Sequence, residues 1–401
     1  MNHDFSPAAS RAGASTKGGA LPLLALAVAA FGIGTTEFVP VGLLATIAAD
    51  FDVGVTLAGL LISGYALGVA VGAPILTALT NRINRKTLLL SLIVLFIAGN
   101  GVAAIAPTFE SLLLARFVTA FAHGVFFSIG STIAVQLVPE DKKASAIALM
   151  FTGLTVATVT GVPLGTYIGQ HFGWRMTFAG VALFGVFALV ASALLIPKRL
   201  KGAPPSTLSD IIKLATSGRL LLGFAITALG YGGTFVAYTY MTPILQDVVG
   251  LPPSAIGLVL LGYGIAVAAG NEIGGRLANR NPSRALLAMF VVQSLVLFAM
   301  SFLLPLPVVG LLSVFVMGIF AFMNVPGLQL YIVQLAEKHA PSAVDVASAL
   351  NIAAFNVGIA LGALAGGAVV ESAGLVHTPW VGGGIVALAV ALTAISIKLE
   401  R

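Results

Sequence analysis

The sequence predicts an all-α integral membrane protein with twelve transmembrane helices in two pseudo-symmetric six-helix halves. Three observations carry this. Of 401 residues, 58% are hydrophobic and only 8% charged. A soluble domain carries about 25% charged residues, so this chain cannot cover a water-facing surface. The apolar runs last about 20 residues between short polar breaks, which suits membrane helices rather than barrel strands of about ten. The chain also repeats itself. GIGTTEFV at 32–39 matches GYGGTFVA at 230–237, setting Gly32, Gly34 and Thr36 against Gly230, Gly232 and Thr234. TNRINRK at 80–86 matches ANRNPSR at 278–284 at the same offset of 198, and Gly161, Gly165 and Gly169 match Gly358, Gly362 and Gly366 at 197. One glycine match means little among 46 glycines, but three ordered sets at nearly one offset mark a duplication.

The elements follow in order. Residues 1–19 are small and polar, with Arg11 and Lys17, and read as a disordered cytoplasmic tail. Spans are expected at about 20–48, 57–79, 87–106, 111–137, 144–169 and 176–197, an N-terminal half over 20–197. The first run is too long and glycine-rich for a signal-peptide core. The longest polar stretch, 198–218, holds Pro204-Pro205 and reads as a cytoplasmic linker. Spans at about 219–246, 254–278, 285–304, 306–335, 343–370 and 380–397 make a C-terminal half over 219–401. Of the 20 Lys and Arg, eighteen fall in the tails, the linker and alternate loops on one side. Only Arg175 falls on the other side, and Arg116 lies inside the fourth span. Basic loops stay in the cytoplasm, so both termini are expected there, and the net charge of +6 needs no nucleic-acid partner. The absence of cysteine excludes disulfides, thiolate metal sites and cysteine nucleophiles.

Glu37 is the only ionisable side chain between Ala20 and Ala48. It lies about 16 residues, or about 24 Å of helix rise, from the start of its span. Keeping a carboxylate at that depth costs roughly 2.5 kcal/mol or more, which marks a functional residue facing a cavity. Span four places Arg116 and His123 seven residues apart on one helix face. Arg116 reaches a depth similar to Glu37, and the two are expected to meet across spans one and four, with His123 as a second proton carrier or a packing residue. Tyr231, Thr234 and Tyr238 share a face of span seven, and Asn324 and Tyr331 share one in span ten. With Asn351 and Asn356 of span eleven they are expected to line a polar, mostly uncharged substrate cavity. Gly153, Gly161 and Gly165, with Gly358 and Gly362, make small-residue faces for close packing, expected where spans two and five meet eight and eleven. Pro163 marks a bend.

GAPILTALTNRINRK resembles the loop 2–3 signature of the major facilitator superfamily, matching at Arg82, Arg85 and Lys86. Thr77, Asn81 and Asn84 depart from it, and the second copy keeps Gly275 and Arg280 with Asn279 where the signature has aspartate. The resemblance implies a gating loop built from Asn81, Arg82, Arg85, Lys86, Asn279 and Arg280. Arg116 resembles the superfamily's fourth-helix arginine. GLTVATVTGVPLGTYIG resembles the antiporter motif, with Gly153, Gly161, Pro163 and Gly165 in place and Val162 inserted in the usual Gly-Pro pair. With TTEFVPVGLL and NIAAFNVGIALG, the chain over 20–397 is similar to the drug:proton antiporter-1 family, in its arabinose-efflux-permease and sugar-efflux-like branch. That implies proton-coupled efflux of a sugar, nucleoside or drug-like molecule across a bacterial inner membrane by alternating access. Glu37, Arg116 and His123 would handle the proton. The implied partners are a small-molecule substrate, protons and the lipid bilayer, with the protein a monomer. A facilitator or importer of the same fold is the alternative, and a polytopic membrane enzyme or receptor a more distant one. No Ser/His/Asp set, phosphate-binding glycine loop or metal-spaced cluster is present in the sequence, so no cofactor, metal or enzymatic activity is expected.

Overall fold

Short polar side chains set where several helices begin. Asn84 accepts from the Lys86 N–H, Thr108 and Ser111 form a capping box, and Asn281 accepts from the Arg284 N–H. Gly173 and Gly374 take φ values of 92° and 91° at two turns, a conformation that glycine adopts without strain. The computed structural model describes residues 20–53, 55–58, 60–80, 82–198, 200, 214 and 216–400. The expected tail, Asn81 and most of the linker lie outside them.

Among the described residues, twelve helices are long and apolar enough to cross a membrane. The first six are α1 (Ala20–Asp50), α2 (Leu60–Leu79), α3 (Arg85–Ala104), α4 (Phe109–Gln136), α5 (Glu140–Phe172) and α6 (Trp174–Leu195). The second six are α7 (Gly218–Tyr238), α8 (Pro253–Ala278), α9 (Pro282–Leu303), α10 (Val308–His339), α11 (Pro341–Ala373) and α12 (Leu375–Leu399). In the first half α1 packs on α5 and α6; in the second, α7 packs on α11 and α12. The halves meet along α2 and α4 against α11, and α5 against α8.

The repeat is real, but its register is not uniform. Helices α1 and α7 start 198 positions apart. Helices α5 and α11 both run 33 residues and start 201 apart, as do the turns at Gly173 and Gly374. The glycine match at 197 is therefore one helical turn out of register. Glycines spaced by four align with themselves when slipped by four, so the pattern cannot fix its own register. The close glycine contacts also fall elsewhere than expected. Gly161 and Gly165 pack on Thr35 and Val39 of α1, and Gly358 and Gly362 on the backbone of α7 at Ala228 and Gly232. These faces hold each half together rather than joining the halves. Gly153 lies equally close to the Ala27 carbonyl of α1.

At the bend, Pro163 has no N–H to give the Val159 carbonyl, and α5 widens into a π-turn over Ala157–Gly161. Val159 sits there against Gly264 of α8. We call the face on which α1 begins and α12 ends the terminal face. Every described hydrogen bond between the halves lies toward it, and this defines a state closed on that face.

Candidate functional site

Pro40 lies inside α1. Without an N–H it leaves the carbonyl of Thr36, one turn earlier, with no helical donor. Arg116 supplies one. Its Nη1 donates to the Thr36 carbonyl at 2.5 Å, its Nη2 to the Glu37 carbonyl at 3.4 Å, and Nε and Nη2 both to the Leu61 carbonyl of α2 at 3.3 Å. The guanidinium lies 4.0 Å over the Tyr65 ring. Sequence reasoning put Arg116 beside Glu37, and the structure does too, but at its backbone and not at its carboxylate. At the repeat offset of 198, Tyr238 stands where α1 has Pro40, and Val314 where α4 has Arg116. The half without the proline lacks the arginine as well.

The Glu37 carboxylate turns instead to His123, with Oε2 3.8 Å from Nδ1. The same Nδ1 is 3.1 Å from the Tyr65 hydroxyl. One ring nitrogen thus faces two partners, hydrogen-bonded to the phenol and within ion-pair reach, but not hydrogen-bond reach, of the carboxylate. Tyr65, Arg116 and His123 are all buried. Among described residues, Glu37 is the one acid more than two turns from any helix end. Tyr65 was not singled out from the sequence, since Leu61, Ile62, Gly68 and Val69, its neighbours at helical spacing, give its face no polar companion. Beside the cluster, the Thr36 hydroxyl donates to Asn100 of α3 at 2.6 Å. The second half repeats this tie with Gln293 of α9 donating to Thr234 at 2.6 Å.

The corresponding helix of the second half carries aromatic side chains instead. Phe235 takes in α7 the place that Glu37 has in α1. Tyr231 packs against Phe235 at 5.0 Å and edge-on against Phe355 at 4.9 Å between ring centroids. Tyr238 stacks on Tyr263 of α8 at 5.2 Å.

Of the seven residues expected to line the cavity, only Tyr231 and Tyr238 join this group with side-chain oxygens that hydrogen-bond no described residue. Thr234 is held by Gln293, whose carbonyl oxygen accepts from Asn324 at 3.0 Å. Asn351 accepts from Thr227 at 2.6 Å and donates to Gln329 at 2.7 Å. Asn356 bonds back to the Ile352 carbonyl of its own helix. Tyr331 bonds Ser396 of α12 and lies near the terminal face, bordering a cleft with Arg280 and Lys338. The expectation erred because helical spacing tells which residues share a face, not which neighbour that face meets. Buried amides seek each other when nothing else is offered.

The gating loop divides similarly. Arg85 makes a bidentate pair with Asp345 of α11 at 2.8 and 3.1 Å, joining the halves. Lys86 donates to the Ala193 and Ile196 carbonyls at the end of α6, within its own half. Asn279 bonds both the backbone and the hydroxyl of Ser145 across the halves, at 3.1 and 2.8 Å. Arg82 is exposed, and Asn81 lies outside the described residues. Beside Arg85, Ser128 of α4 donates to the Asp345 carbonyl at 2.7 Å, and Ser348 of α11 donates back to the Ser128 carbonyl at 2.9 Å. Asp345 and this reciprocal serine clasp were missed. An acid in the first turn of a helix is commonplace, and serine signals nothing by itself.

Twelve helices in two like halves, with a buried ionisable cluster in the first and an aromatic group in the second, define a polytopic membrane transporter. The family model described as Major Facilitator Superfamily matches residues 26–347, and the chain belongs to that superfamily. It is 59% identical over 379 residues to "Uncharacterized MFS-type transporter YtbD" of Bacillus subtilis (strain 168), covering 94% of this chain and 96% of the relative. It is 41% identical over 381 residues to "Inner membrane transport protein YdhP" of Escherichia coli (strain K12), with the same coverage of 94% and 96%. Among solved structures it resembles the transporter FucP in its outward conformation, with TM-score 0.76 and 15% identity over 95% of this chain and 99% of that one. The proton:xylose symporter XylE matches with TM-score 0.69 and 14% identity over 92% and 94%. At such identities these two establish the fold alone. The relatives are named as transporters, no enzymatic family is indicated, and the chain is a multi-pass membrane protein homologous to bacterial inner-membrane transporters.

Proposed function

We propose that this transporter exports a small organic molecule across the bacterial inner membrane in exchange for protons, within the drug:proton antiporter-1 family. The observation that carries the reading is Glu37. Among the described residues it is the single deep acid, no cation hydrogen-bonds its carboxylate, and the imidazole of His123 lies 3.8 Å from it. A carboxylate so placed binds a proton in one state and gives it up in another, as alternating access changes its surroundings. The antiporter-like segment of α5, running past α1 beside this cluster, favours exchange over co-transport. We take the terminal face as cytoplasmic from the loop charges. The inter-half contacts then close the cytoplasmic side and the site faces outward, ready to take up a proton. The protein acts as a monomer, each half being complete in its own helix packing.

The test uses everted vesicles energised to acidify their interior, offered arabinose, inosine or phenethylamine, with release of the pH gradient followed by acridine orange. An exporter dissipates the gradient with its substrate, and Glu37→Gln abolishes this while substrate exchange without a gradient persists. Gradient-driven transport by Glu37→Gln at the wild-type rate and pH dependence would overturn the reading and make His123 the next residue to test. Substrate movement down its own gradient with no proton counterflow in the wild type would favour a facilitator.

A further inference from the structure

We propose that Gln329 of α10 is a positioning residue for closure of the terminal face. It turns the Ser348 hydroxyl onto the opposite half, and it is held to that task by Asn351 of α11 and Thr227 of α7. The inference needs only the closed terminal face; neither a substrate nor a coupled proton enters it.

These side chains form one directed chain. Thr227 donates to the Asn351 carbonyl oxygen at 2.6 Å, and the Asn351 amide donates to the Gln329 carbonyl oxygen at 2.7 Å. The Gln329 amide donates to the Ser348 hydroxyl at 2.5 Å, and that hydroxyl donates across the halves to the Ser128 carbonyl at 2.9 Å. Ser128 donates in turn to the Asp345 carbonyl at 2.7 Å, so the chain ends at the residue paired with Arg85. Thr227, Asn351, Gln329, Ser348 and Ser128 are all fully buried. A carboxamide donates at one end and accepts at the other, so each link fixes the orientation of the next. With the Gln329 amide donating to its oxygen, Ser348 sends its own hydrogen away from Gln329 and on to Ser128.

A serine in a helix has a rival acceptor in the carbonyl one turn earlier. The first half shows that alternative. Ser131 stands there at the offset of 198 from Gln329, and it donates to the Phe127 carbonyl of its own helix at 2.7 Å. Ala29 takes the place of Thr227 at the same offset, and Met150 and Ile147 take those of Asn351 and Ser348 at 201. Six helices therefore pack into a half without the chain, and packing alone does not explain its presence in the second.

The far end of the chain rests on α7. Among the described hydrogen bonds, Thr227 to Asn351 is the one between α7 and α11. Nearby these helices meet through Gly232 and Gly358, where no side chain keys one to the other. A slide of α7 along α11 by about an ångström stretches the Thr227 bond out of range. Asn351 and Gln329 are then able to reverse, and Ser348 gives its hydrogen to Gln329 rather than to Ser128. Tyr231 lies one turn beyond Thr227 on α7, so motion of the aromatic group weakens closure through this chain.

The experiment follows maleimide labelling of Ala148→Cys in the full chain in lipid nanodiscs; the protein has no other cysteine. Ala148 is fully buried in α5 against Gly275 of α8, on the path that opens. Ser348→Ala removes one hydrogen bond from the closed state and should speed labelling about fivefold. Gln329→Met, which keeps the length of the side chain, should do the same. The double variant should also label about fivefold faster, because Gln329 acts through Ser348; independent effects would multiply to about 25-fold. Thr227→Val should speed labelling when Ser348 is present and change nothing in the Ser348→Ala background. Thr227→Ser, which keeps the hydroxyl, should label at the parental rate. Thr393→Val removes an equally buried hydroxyl that bonds only its own helix at Ala389, and should leave labelling unmoved. Melting temperatures check folding, and if Gln329→Met melts early the Thr227 series decides alone. Parental labelling in folded Gln329→Met or in Thr227→Val would overturn the proposal. So would a double variant near 25-fold, a Thr227→Val effect that persists without Ser348, or an equal effect of Thr393→Val.

Discussion

Asp345→Asn tests what holds the terminal face shut. The Arg85 and Asp345 side chains are 7% and 15% exposed and share two hydrogen bonds. Replacing the acid removes the charge that this mostly buried guanidinium bonds across the halves, which costs up to about 3 kcal/mol. When the terminal face opens, water reaches Arg85, so the penalty falls on the closed state alone. At about 1.4 kcal/mol per factor of ten, the ratio of closed to open shifts by about two orders of magnitude. The chain has no cysteine, so a single one can report. Ala148 is fully buried in α5 and packs against Gly275 of α8, on the path that must open. In an Ala148→Cys background, Asp345→Asn should speed maleimide labelling by up to about a hundredfold. The double variant Arg85→Gln, Asp345→Asn should lose much of that increase, because it removes both charges of the pair. Labelling at the parental rate in Asp345→Asn would refute the latch. A double variant as fast as the single would refute the argument from uncompensated charge.

Three further outcomes follow from the packing and the charges. Gly358→Leu should insert but not transport, because even a Cβ at that position collides with the Ala228 carbonyl of α7; substrate flux with wild-type amounts in the membrane checks it. Tyr65→Phe keeps the ring under Arg116 but removes the hydroxyl from His123, so the pH profile of transport should move while the melting temperature changes by no more than one hydrogen bond's worth, about 1 kcal/mol. Beyond the α1 span, hydrogen bonds from Arg175 and Trp174 hold the Asp50 carboxyl below its ordinary value of 3.8. That contribution is complete above the ordinary value and is lost as pH falls through the lowered one. With Asp50 42% exposed it amounts to less than about 1 kcal/mol, so Asp50→Asn should melt slightly below wild type at neutral pH and converge with it in acid.

The spans were legible because a bilayer demands long apolar helices and the sequence supplies twelve. Glu37 was legible for the complementary reason, as the lone carboxylate in an apolar run. Register was not, because glycines four apart look the same one turn up or down. Nor were the partners of the polar side chains. Asn100, Gln293 and Gln329 carry no more signal in the sequence than Asn324 or Asn356, and only the packing of α3 on α1, α9 on α7 and α11 on α10 decides which of them meet. The loop signature put the gate at Asn81 and Asn279, which lack its aspartate, while the acid that pairs with Arg85 is Asp345 on α11. A contact between halves depends on which helices are opposed, and a loop motif in one half does not contain that information.

The arginine that bonds the carbonyl left open by a proline ties two positions 76 residues apart into one unit of inheritance. While Pro40 is present, losing Arg116 strands an acceptor in the low-dielectric interior; while Arg116 is present, restoring an N–H at position 40 makes its donors compete for an occupied carbonyl. Neither change is tolerated easily alone, and the two together are. Related chains should therefore keep both residues or neither, and the second half, with tyrosine and valine in the equivalent places, already shows the variant with neither. Pro40→Ala should for the same reason soften the damage done by Arg116→Gln, although each change is harmful on its own.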